Sequence, residues 1–184
     1  MSKTVFLNSR QEFETKYRNS RANLLFVVAF TVVNILLLVI NSNTYFLFSA
    51  FIPYVLVILG MDVCGMFPPE YYGDEFSDLT FFNTSVFAVF LVIALIITAV
   101  YFLCWIFSKN NRKGWLIAAL VMFVIDTAGM FFVNGFALDS IVDIAFHIWV
   151  IVSLSLGIHA GHKLKTMPVE EEAAAETEQP ATEV

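Results

Sequence analysis

The sequence predicts an all-α polytopic membrane protein: a bundle of about five transmembrane helices with a basic N-terminal segment and a disordered acidic C-terminal tail. Three observations predict it. Of 184 residues, 59% are hydrophobic and 14% charged, against about 25% charged in ordinary soluble domains. Apolar runs recur at the length of about 18 residues or more that a ~30 Å hydrocarbon core requires. The chain then ends in TMPVEEEAAAETEQPATEV, an acidic stretch too poor in apolar residues to fold.

Each element follows in order. Residues 1–21 are a polar lead carrying Lys3, Arg10, Lys16, Arg18 and Arg21. Ser9 and Glu12 fit the S-x-x-E capping box, so a helix is expected to start near Arg10 and to run on towards the first span. Phe13 and Tyr17 share a face of that helix, which suits a membrane interface; a frayed basic tail is the alternative. The bundle is expected over 22–161, with a first span over 22–41 that carries Thr31 and Asn34. Asn41-Ser42-Asn43-Thr44 turns it into a second span over 45–66. Pro53 is expected to kink that helix, because it removes the donor for the Ser49 carbonyl.

A loop over 68–80 holds Glu70, Asp74, Glu75 and Asp78 and no basic residue. A third span covers 81–107, a short basic loop runs from Ser108 to Lys113, and a fourth span covers 115–134. Asn134-Gly135 turns into a fifth span over 137–160, and 162–184 form the tail. Six of the 16 acids lie in that tail (Glu170, Glu171, Glu172, Glu176, Glu178, Glu183), and without them the acids balance the ten basic residues. The N-terminus is too polar for a secretory signal. The basic residues are too few and scattered for nucleic-acid binding. Cys64 and Cys104 fall in apolar segments with no CxxC spacing and read as small buried hydrophobes.

Five alternating spans place Lys3, Arg10, Lys16, Arg18 and Arg21 on one side of the bilayer and Lys109, Arg112, Lys113, Lys163 and Lys165 on the other. The positive-inside rule is then silent, and the first helix alone favours a cytoplasmic N-terminus. Either a span that only half-crosses or insertion in both orientations would account for the tie.

The chemistry-bearing residues are those that a bilayer tolerates least: Asp126 in the fourth span, and Asp139, Asp143 and His147 in the fifth. An ionisable group at the bilayer centre costs ~2.5–3.5 kcal/mol on insertion scales, so these form a candidate ion or proton site. Spacings of four put Asp139, Asp143 and His147 on one helix face. Asp126 and Asp143 stand equally far from the Asn134-Gly135 turn, ~13 Å in at ~1.5 Å per residue. The expected arrangement is therefore a carboxylate pair sharing a proton, binding a cation or facing a protonated His147. Asp139 also reads as a helix-start charge at the interface, and His147 as a hydrogen-bonding packing residue.

Asp62 and Asn34 are accessory candidates. His159 and His162, beside Lys163 and Lys165, read as a cationic helix end rather than a metal site. No cofactor is predicted; a bound cation is the open possibility, and no second His or Glu pair completes a zinc or di-iron set.

The reading that follows is a small transporter or channel-like protein, with the lipid bilayer and a homo-oligomer or membrane-protein partner as its surroundings. The alternative is a non-catalytic membrane subunit or regulator whose polar stripe docks a partner helix. An intramembrane enzyme ranks last, since no Gly-x-Ser-x-Gly turn or paired axial His is present.

Overall fold

The computed structural model describes residues 3–42, 44–73, 79–135 and 141–167. Six helices follow in order: α1 Lys3–Val39, α2 Phe51–Val63, α3 Pro69–Tyr72, α4 Thr84–Phe107, α5 Lys113–Asn134 and α6 Ile141–Thr166. No strand occurs among the described residues. Helices α1, α4, α5 and α6 are long and apolar enough to cross a membrane, as in a multi-pass protein. They also expose Phe26, Leu36, Ile96 and Phe132 along their sides. Water would penalise that surface by ~25 cal/mol per Å²; lipid would not.

The N-terminal lead runs on into the first long helix, which is already helical at Lys3. Nothing in Lys3–Val39 is Gly or Pro, so no residue stops the helix, and Ser9 and Glu12 lie within it instead of capping it. Arg10 pairs with Glu14 and Lys16 with Glu12 at helical spacing of four, which supports an exposed turn. At the other end, α6 runs on to Thr166, past the expected limit of the bundle. The tail from 168 lies outside the described residues.

The core is built where α1, α4, α5 and α6 meet. Leu24, Tyr101, Cys104, Leu116, Phe123, Val150 and Leu154 are buried together there. Helices α1 and α6 come closest through Gly157 and Gly161, which sit against Ser20 and Tyr17. A small-x-x-x-small spacing of this kind lets two backbones approach where lipid offers no hydrophobic drive to association.

The second apolar stretch departs most from expectation. Helix appears only over Phe51–Val63, 13 residues, and 44–50 is irregular. Pro53 is the third residue of α2, in the first turn, where its missing N–H would have no intrahelical acceptor in any case; it starts this helix instead of kinking one. The direction of α2 also differs. Ala50, at its start, meets Thr31 of α1, while Val57 and Met61 pack with Ile35 and Leu38 near the end of α1 and with Ala94 of α4. The backbone N–H of Phe82, just before α4, reaches the Val63 carbonyl. The stretch thus enters from the end where α1 finishes, turns at the depth of Thr31, and returns to the same end.

Two consequences set the polarity of the bundle. Both halves of the basic set lie at one end, and the expected separation of five from five is not found. Tyr17 Oη donates to the Ser108 carbonyl at 2.6 Å, Arg21 Nε to Ser108 Oγ at 2.8 Å, and Arg10 Nη1 to the Met167 carbonyl at 3.4 Å. Lys113 Nζ lies 2.7 Å from His162 Nδ1. The start of α1, the α4–α5 turn and the end of α6 therefore share the basic end. The opposite end holds Asp62, Glu70 and the first turn of α6 with Asp143.

Candidate functional site

A helix that starts inside an apolar bundle leaves four backbone positions without intrahelical acceptors, and in a low-dielectric setting each must be satisfied. For α2 these positions are Ala50, Phe51, Ile52 and Pro53, and each is accounted for. Ala50 N donates to Thr31 Oγ1 at 2.8 Å. Phe51 N donates to Asp126 Oδ2 and Ile52 N to Asp126 Oδ1, both at 2.8 Å. Pro53 has no N–H to satisfy. Asp126 thus caps a helix 75 residues away in sequence, and its negative charge meets the partial positive charge of that helix start.

The irregular approach is braced from α1. Asn34 Nδ2 donates to the Phe46 carbonyl at 2.6 Å and to Ser49 Oγ at 2.9 Å, while Asn34 Oδ1 accepts from Phe46 N at 2.8 Å. A side-chain amide replaces the strand or helix neighbour that 44–50 lacks. Tyr45 Oη lies 3.1 Å from Ser49 Oγ, extending the network outward. Phe48 takes φ 62° at the tip, a left-handed conformation that costs a non-glycine residue ~1–2 kcal/mol. Its ring packs edge-on against Phe146 at 4.4 Å and against Trp149 at 6.2 Å, which holds it there.

His147 completes the site. Its Nδ1 lies 2.8 Å from the Asp143 carbonyl. A carbonyl only accepts, so Nδ1 carries a proton. Nε2 then faces Asp126 Oδ2 at 3.5 Å and makes no hydrogen bond. A second proton there makes an imidazolium beside a carboxylate; without it, a bare lone pair faces a negative oxygen. Asp126 and His147 are 1% and 2% exposed. The imidazole stacks on Phe123 at 5.1 Å and meets Phe146 at 79°, both apolar.

The structure brings Asp126 and His147 together, and Asp143 only in part. Asp143 stands half-buried on α6 and offers its carbonyl to His147 Nδ1, while the side chain that comes within 4 Å of Asp126 is His147, one turn further along α6. Asp139 lies outside the described residues. Asp62 is at the far end of α2, ~16 Å along its axis from Phe51, and does not join the site. Asn34 braces the entering segment and does not touch the pair.

Thr31 and Ser49 enter the sequence reading only as polar positions of the first two spans, and Tyr45 not at all; the signal that joins Ser49 and Tyr45 is a polar cluster shortly before Pro53. His159 is exposed near Phe13. Among the described residues no three His, Cys, Asp or Glu side chains gather as metal ligands would.

No family model, curated protein or solved structure matches this chain.

Proposed function

We propose that the chain is a small proton- or cation-moving membrane protein, with four crossings, one re-entrant segment and a proton-binding centre at Asp126–His147. The observation that carries this reading is the buried Nε2 of His147, unpartnered and 3.5 Å from a carboxylate that already anchors the re-entrant helix. Protonation there creates an ion pair; deprotonation sets a lone pair against Asp126 and loosens the hold on α2. A re-entrant half-helix ending at mid-depth is also how many transporters form a site, with irregular backbone tolerated where protein satisfies it. The groups around His147 are Asp126 of α5 and the Asp143 carboxylate one turn away on its own helix, while Tyr45 and Tyr101 lie within electrostatic reach of Asp126. A proton is favoured over a metal cation because, among the described residues, too few ligands converge.

The partner-docking alternative keeps less to work with. Asp126 and His147 face inward, so of the described stripe only Asp143 has surface to offer.

Reconstituted vesicles with a potassium gradient and valinomycin, read with an internal pH dye, test the proposal. The wild-type chain is expected to carry protons. His147→Gln is expected to slow them about a hundredfold, the low end of what a positioned proton-transfer group contributes. Flux equal to that of empty vesicles, or untouched by His147→Gln, would refute it.

The same reading puts all ten Lys and Arg residues on the cytoplasmic side, with the start of α1 and the end of α6. In a Cys64→Ala, Cys104→Ala background, a membrane-impermeant maleimide is expected to label Glu70→Cys in intact cells. Asn110→Cys should react only after permeabilisation. Labelling of both from one side would remove the topology.

A further inference from the structure

The re-entrant segment does more than seat α2: it forms one wall of a cavity of about 650 Å³ at the acidic end of the bundle. That volume lies within the ~300–1,000 Å³ of small-molecule sites. Two aromatic pairs line it. Tyr45 and Tyr54 have ring centroids 4.9 Å apart, and Phe67 and Tyr71 4.5 Å apart. Asn41 adds a polar group, and Glu70 is the one charged side chain among the described lining residues. Every Lys and Arg of the chain belongs to the opposite end.

We infer that this cavity binds an organic cation of the quaternary or bulky ammonium type. Aromatic faces attract a cation through their quadrupoles, most strongly where water is displaced, and they need no hydrogen bond from it. A single carboxylate at the rim supplies the compensating charge. An anion would meet Glu70 with no basic residue to offset the repulsion, and a neutral apolar ligand would leave that carboxylate without a role. The cavity wall is also tied to the buried pair's support, because Tyr45 bonds Ser49, which is held by the same Asn34 that braces the segment leading to Asp126. This inference deepens the transport reading by naming a class of cargo and rests on it only for movement; binding itself requires no gradient.

The test is calorimetric titration of the purified full chain, in an uncharged maltoside detergent, with tetrapropylammonium. Saturable binding of one cation per chain is expected. Glu70→Gln and Tyr54→Leu are each expected to weaken it about fivefold or more, as ~1 kcal/mol of cation–π or charge contact implies. Glu70 is exposed, so its variant keeps the fold, and circular dichroism checks the helix content of both. No saturable binding, or equal affinity in wild type and both variants, overturns the inference.

The ammonium could come from a lipid headgroup or from free solute. Nanodiscs separate the two: binding lost in phosphatidylcholine but kept in phosphatidylglycerol assigns the cavity to a choline headgroup. Equal binding in both assigns it to a free cation, and either result supports the ammonium chemistry. The two readings fail separately, since tetrapropylammonium binding is measured without a proton gradient and proton flux through His147 without an organic cation.

Discussion

Replacing Asp126 by leucine is expected to release the start of α2. The substitution keeps the branching at Cγ but strips acceptors from Phe51 N and Ile52 N, 2.8 Å away on either oxygen, and removes the carboxylate 3.5 Å from His147 Nε2. Each orphaned buried donor costs ~1–3 kcal/mol, so a loss of ~4 kcal/mol is expected, a large part of a typical protein's stability. Thermal unfolding in detergent should show a sharply lowered midpoint, and amide exchange should accelerate first at Ala50–Ile52. Asp126→Asn retains one carbonyl acceptor and should fall between. A leucine variant that melts with the wild type, with those amides still protected, would show that α2 is held by something else.

The second large effect comes from a methyl group. Alanine is favoured over glycine in a helix by ~1 kcal/mol, so Gly157→Ala would stabilise an isolated α6. Here the added Cβ would overlap Oγ and Cβ of Ser20 on α1, and overpacking of a close interface costs ~1–3 kcal/mol. Net destabilisation by ~1–2 kcal/mol is expected. The sign is the test, because a loose α1–α6 contact would give a gain. Ser20 Oγ is buried without a hydrogen-bond partner, so removing it sacrifices little. Ser20→Gly combined with Gly157→Ala should recover most of the loss, and a double variant as unstable as Gly157→Ala alone would place the strain elsewhere.

These two sites show why some of the protein could be read from its residues and some could not. Hydropathy over a long window reports whether a segment tolerates lipid, so α1, α4, α5 and α6 were legible as apolar helices of spanning length. It does not report whether the backbone is helical. Tyr45–Ala50 is nearly as apolar as its neighbours, yet it is irregular because Thr31, Asn34 and Asp126 supply the hydrogen bonds it would otherwise make to itself. Those partners lie between 12 and 75 residues away. A periodicity argument covers one helix at a time and does not see them. Likewise, Gly157 and Gly161 mark a close approach, but only the position of Ser20 and Tyr17 says to what.

Asp126 and His147 stood out at once, since ionisable residues are rare in apolar helices. Their pairing did not, because it depends on how α5 and α6 pack against each other. The side chain that comes within 4 Å of Asp126 is His147, one turn along α6 from Asp143.

The sequence by itself determined that this is an apolar, all-helical chain, where its costly charges fall, and that its basic residues come in two equal groups. Only the tertiary structure decided that the second apolar stretch turns back, which gathers both basic groups at one end and hands the start of α2 to Asp126. The physical reason is that burial is a local property of residues, whereas satisfying an unpaired backbone group depends on what another helix brings to it.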